Sequence, residues 1–110
     1  MAADPLSGKT LRWTYSDGPM KGKVFEHRFG TDGTVSWKEA GDAKPSADSS
    51  ATYQHARINA DVKAFSYLAK SGFTLTTVID EKSGSIVSFA SNEKDLMIQH
   101  GTLEEPSKTR

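Results

Sequence analysis

The side chains with chemistry to offer sit near the front of the chain. Tyr15 carries a phenol and His27 an imidazole, an acid and a base if both face one space. Around them stand Trp13, Phe25, Phe29 and Trp37, at two-residue spacing within short runs. Rings supply contact area and the two polar groups supply orientation, which is the make-up of a ligand pocket more than of a filled interior. Tyr53, His55 and Arg57 repeat the spacing farther on. If that row faces inward, the planar Arg57 guanidinium can meet a ligand carboxylate. If the other row does, Thr52, Gln54, Ala56 and Ile58 line the same space. The sequence leaves the two parities open. The candidates for ligand binding are therefore Trp13, Tyr15, Phe25, His27, Phe29, Trp37, Tyr53 and Arg57, with Tyr15 and His27 the candidates for acid and base.

Other chemistries find little to work with. The chain has no cysteine, which removes disulfides, thiol nucleophiles, zinc–thiolate sites and iron–sulfur clusters together. The three histidines, His27, His55 and His100, fall in separate runs with no helical spacing and no carboxylate at a set offset, so no metal site is expected. No motif calls for a cofactor: Gly18-Pro19-Met20-Lys21-Gly22-Lys23 lacks the spacing of a phosphate loop, and no nucleophile elbow is present. Basic and acidic residues balance at 14 each and form no basic stripe, which argues against nucleic acid and anionic membranes as partners. The opening Met-Ala-Ala-Asp-Pro-Leu-Ser-Gly has no charged and apolar leader pattern, and no apolar run is long enough to span a bilayer. A cytoplasmic protein is the expectation.

The elements that must position these residues follow from a period of two. Leu11, Trp13 and Tyr15 alternate with polar neighbours, as do Phe25, His27 and Phe29, then Val35 and Trp37, then Phe73, Leu75, Thr77 and Ile79. A strand sends successive side chains to opposite faces, so each run describes a ribbon with two unlike faces. Turn residues separate the runs: Ser16-Asp17-Gly18-Pro19, Asp32-Gly33, Lys70-Ser71-Gly72, Lys82-Ser83-Gly84 and Asn92-Glu93-Lys94-Asp95. Strands are predicted near 10–16, 23–29, 34–39, 51–58, 62–69, 73–80, 85–91 and 95–102. A helical turn fits only near 2–7 or inside the small, polar stretch 40–50, whose length suits either a flap over a barrel mouth or a solvated loop. Glu26 and Arg28, opposite Phe25 and Phe29, should face solvent.

Short connections make consecutive strands neighbours, and about eight of them leave two raw edges unless the sheet closes. The predicted fold is thus all-β: a small closed or nearly closed antiparallel up-and-down barrel. It occupies one domain over 1–110, with its core at 6–103 and a polar tail at 104–110. A closed sheet of this size holds either packed side chains or one small ligand.

The stretch Leu6-Ser7-Gly8-Lys9-Thr10-Leu11-Arg12-Trp13-Thr14-Tyr15-Ser16-Asp17-Gly18, and then Gly30-Thr31-Asp32-Gly33-Thr34-Val35-Ser36-Trp37, resembles the MoaF-like branch of the lipocalin-like (calycin) superfamily. It also resembles the opening of the bacterial phenolic acid decarboxylases, which share that barrel. Phe73–Asp80 and Gly84–Phe89 fit the back strands of the same fold, so the resemblance spans most of 6–103. It implies a barrel closed around a ligand. The decarboxylases work without a cofactor and place two tyrosines one residue apart on the first strand, with an arginine and a glutamate from later strands. Here the first strand reads Trp13-Thr14-Tyr15, and Val62–Leu68 contains no acid.

These readings converge on binding of a small apolar or aromatic molecule. A cofactor-free lyase or isomerase acting on a phenolic or carboxylic substrate is the alternative, with Tyr15 as acid and His27 as base. A filled barrel serving as a protein-interaction module is the third, and a flank rich in β-branched residues is compatible with a homodimer.

Overall fold

The structure, a computed structural model, describes residues 6–39 and 50–104. The flap expected of the 40–50 connection, most of the helical turn expected near 2–7, and the tail beyond 104 lie outside these residues. Eight strands follow in order: β1 (Thr10–Tyr15), β2 (Val24–Phe29), β3 (Thr34–Glu39), β4 (Ser50–Arg57), β5 (Val62–Leu68), β6 (Thr74–Asp80), β7 (Ser85–Ser91) and β8 (Leu96–Leu103). Each is antiparallel to the next, and β8 returns to β1, closing the barrel. Among the described residues no helix is long and apolar enough to cross a membrane.

Local chemistry sets the turns. Asp32 Oδ1 accepts from the Thr34 backbone N–H at 3.2 Å and from its hydroxyl at 2.7 Å, fixing the β2–β3 reversal. Asn59 does the same for Asp61 and Val62 at the β4–β5 turn, and Asn92 for Lys94 and Asp95 at the β7–β8 turn. Short Asx side chains that bond the backbone two or three residues ahead favour such reversals over a continued strand.

Register carries one parity around the whole wall. Trp13 pairs with Phe25, His27 with Trp37, Tyr53 with Tyr67, Tyr67 with Leu75, Thr77 with Ser88, Ser88 with Gln99, and Gly101 with Tyr15. The rings of the early strands therefore share the inner face. On β4 the inward row is Tyr53, His55 and Arg57, which settles the parity that the sequence left open. Arg57 nevertheless does not enter the hollow. β3 begins at Thr34, opposite Thr52, and the last tie on that side is the Tyr53 N–H to the Gly33 carbonyl at 3.1 Å. Beyond it, among the described residues, β4 pairs only with β5, and His55 and Arg57 stand past the rim and are exposed.

The end of the barrel bearing the N-terminal segment is filled. Leu6, Trp13, Phe29, Val35, Phe65, Ile79 and Ile86 are essentially inaccessible there. Phe29 meets Phe65 edge-on, at 4.9 Å between centroids and 90° between planes, and Tyr53 at 5.2 Å and 77°. Those are the offsets that ring quadrupoles favour. Lys63 also points inward at this end, where its buried ammonium reaches Glu81 Oε1 at 2.5 Å. Outside, β1 and β2 carry a charge network in which Arg12 and Arg28 both approach Glu26, at 3.5 and 3.6 Å, and leave its carboxylate largely covered where solvent exposure was expected. The outer face of β5–β8 is different in kind, with Leu68, Phe89, Leu96 and Ile98 exposed.

Candidate functional site

The opposite end of the barrel is hollow. A cavity of about 410 Å³ opens there, within the range of about 300–1,000 Å³ usual for small-molecule pockets. Tyr15, Phe25, His27 and Trp37 line it from β1–β3, Tyr67 and Leu75 from β5 and β6, and Ala90, Met97 and Gln99 from β7 and β8. Pro19, Met20, Ala69, Ser71 and Phe73 complete the mouth. No side chain of this lining carries a formal charge at neutral pH.

His27 is the floor of the cavity. Its ring lies between Trp13, stacked at 4.4 Å and 16°, and Trp37, at 6.2 Å and 25°. Burial among rings disfavours the imidazolium and pushes the pKa down to about 3, so the ring is neutral at physiological pH. Nε2 lies 3.4 Å from the Tyr67 hydroxyl, and Nδ1 is buried with no hydrogen-bond partner among the described residues. With the proton on Nε2, Tyr67 Oη accepts from the ring and Nδ1 is left as an unsatisfied acceptor. Burial, and then the nearby Tyr15, raise the Tyr67 pKa, keeping that phenol protonated. Trp37 stacks on Tyr67 at 4.3 Å and 22°, completing a wall of parallel rings.

A second polar group lies across the cavity. Tyr15 Oη is 3.4 Å from Ser88 Oγ, which in turn lies 2.7 Å from Thr77 Oγ1. Gln99 accepts the Met20 backbone N–H at 3.0 Å, holding the β1–β2 turn over the mouth. The turn can lie that close only because residue 18 is glycine. Its φ is +79°, and a Cβ there would come within 2.7 Å of Gln99 Cγ.

The structure brings Tyr15, Phe25, His27 and Trp37 together at the cavity. Trp13, Phe29 and Tyr53 face inward as expected but belong to the filled end, Trp13 supporting His27 from below. Arg57 lies outside. Sequence reasoning did not single out Tyr67, Phe73 or Gln99. Tyr67 and Phe73 sit on alternating runs whose inward row was readable, but Gln99 is a polar residue with no marker of its own. His100 faces outward, where its backbone N–H and Nδ1 meet the Asp17 carboxylate at 2.7 and 2.9 Å. With His27 inside and His55 past the rim, the histidines do not meet, and no cluster of metal-ligating side chains occurs among the described residues.

No protein-family profile matches the chain, and no curated protein matches it. Among solved structures it is similar to a Burkholderia vietnamiensis protein described as a "putative beta-lactamase". The two share 19% identity at a TM-score of 0.74, over 94% of this chain and 98% of the other. At that identity the likeness speaks for the shared fold alone.

Proposed function

We propose that this protein binds a small aromatic molecule in the open half of its barrel, in the manner of lipocalin-like carriers. The observation that carries the reading is a cavity of about 410 Å³ walled by stacked rings in a barrel whose other half is filled. A fold that needed only stability would fill both halves, since apolar walls left unpacked forfeit burial and contact energy. The MoaF-like resemblance of the first strands agrees with this reading, and with no particular pathway. Acid–base catalysis by the expected pair has less support. Among the described contacts His27 turns to Tyr67 while Tyr15 turns to Ser88, and a base of pKa about 3 accepts protons poorly at neutral pH.

Trp37 lines the cavity and Trp13 does not, so fluorescence reports occupancy directly. A two-ring aromatic should quench the wild type saturably and leave a Trp37→Phe variant, which keeps Trp13, nearly unquenched. Equal quenching of both proteins would place the ligand elsewhere and overturn the reading.

A further inference from the structure

We propose that the occupant is an uncharged, flat molecule that presents a hydrogen-bond acceptor, such as a ketone or amide carbonyl, to the hydroxyls of Tyr15 and Tyr67. This selection rests on the pocket reading above and narrows it to one chemical class.

Two observations carry it. The first is the spare hydrogen-bonding capacity of the phenols. An O–H donor sits about 2.7–2.8 Å from a good acceptor, whereas Tyr15 Oη is 3.4 Å from Ser88 Oγ and Tyr67 Oη is 3.4 Å from His27 Nε2. With the His27 proton on Nε2, the Tyr67 oxygen accepts from the ring and its own hydrogen points away from it. Ser88 is likewise engaged by Thr77 at 2.7 Å, which leaves the Tyr15 hydroxyl weakly held. Two buried donors with loose partners call for an acceptor between them.

The second is that no cation occurs among the described residues of the lining. A carboxylate taken from water into this space meets no lysine, arginine or charged histidine. Among the described residues, the cations of inward parity sit elsewhere: Lys63 is at the filled end, held by Glu81, Arg57 is past the rim, and Lys23, ahead of β2 and outside the lining, faces Glu39 at 3.7 Å. An anion buried without a counter-charge costs far more than two neutral hydroxyl donors return. A cation fares no better, because no carboxylate lines the cavity among the described residues. The rings of the lining, the stacked pair Trp37 and Tyr67 with Phe25 and Phe73, fit a planar guest.

The test uses three naphthalenes of one shape, titrated by Trp37 fluorescence at pH 7.5: 2-acetonaphthone (a neutral acceptor), 2-ethylnaphthalene (no acceptor) and 2-naphthoate (an anion). The ketone should bind about tenfold more tightly than the hydrocarbon, the worth of one good hydrogen bond. The naphthoate should bind more weakly than either. In Tyr67→Phe the ketone should lose part of its preference, and in the double variant Tyr15→Phe, Tyr67→Phe it should fall to the level of the hydrocarbon, whose own affinity stays put. Naphthoate binding as tightly as the ketone, or an undiminished ketone preference in Tyr67→Phe, would overturn the selection while leaving the pocket reading standing. Failure of all three to bind would bring down the pocket reading itself, and this one with it.

Discussion

His27 illustrates how one side chain ties stability to the site. The imidazole is neutral in the fold, with its pKa near 3, and ordinary, near 6.5, in the unfolded chain. The unfolded state therefore takes up a proton below pH 6.5 and the folded state does not until far lower. The stability that depends on a neutral His27 is complete above pH 6.5 and is lost progressively as pH falls toward 3. Between pH 7.5 and 5.5 the loss amounts to about 1.4 kcal/mol. Urea unfolding at both pH values should show that difference between the wild type and His27→Phe, in which it vanishes. Contributions from exposed His55 and His100 are common to both proteins and cancel. Lys63 gives a contrasting case. Its buried ammonium depends on the half-exposed Glu81, so Glu81→Ala should cost about 2 kcal/mol by stranding a charge. Lys63→Met removes the charge together with its need and should cost less than half as much. Equal losses in the two variants would show that the ion pair itself, not the stranded ammonium, sets the cost.

The strands show what a period of two makes legible. All eight expected runs correspond to strands, with ends agreeing to within a residue or so, because alternation and turn chemistry act over neighbouring residues. Parity was legible too: Trp13, Tyr15, Phe25, His27, Phe29 and Trp37 do share one face. Height along the barrel axis was not. Trp13 and Trp37 have the same parity, yet one is sealed in the filled end and the other lines the cavity, because stagger between strands depends on every register around the wall. The same blindness hid the overhang that carries Arg57 past the rim and the level at which Tyr67 meets His27. Closure is the element-level feature most open to test. The β1–β8 ladder has only three pairs, and one is Tyr15 with Gly101. A Cβ on residue 101 would come within 2.6 Å of the Thr14 carbonyl oxygen and 3.1 Å of Ile86 Cδ1. Gly101→Ala must part the two strands, and should cost about 2 kcal/mol or more. Hydrogen exchange of the Trp13–Tyr15 amides should quicken well beyond that of β5 and β6, whose ladder has seven pairs. Uniform quickening across the barrel would locate the damage elsewhere.

At the scale of the molecule, the barrel is divided between a filled half that holds the fold together and a hollow half whose rings wall an open cavity. The division makes occupancy and stability two readings of one equilibrium, because a ligand that binds only the folded state stabilises it by mass action. At a hundred times its dissociation constant that gain is about 2.7 kcal/mol, enough to raise Tm by roughly ten degrees or more in a domain of this size. The same volume can be filled from within. Ala90 lies at the cavity wall between Leu75 and Met97, and its side chain points into the hollow. A phenyl group there would occupy the ligand's place. Ala90→Phe should therefore melt at or above the temperature of the unliganded wild type, since burying the added ring offsets the strain of placing it. It should also gain nothing from 2-acetonaphthone, which lifts the wild type. Thermal melts of both proteins, with and without the ketone, separate the alternatives. A variant that is strongly destabilised and still shifted by ligand would mean that the hollow is not where the ligand sits.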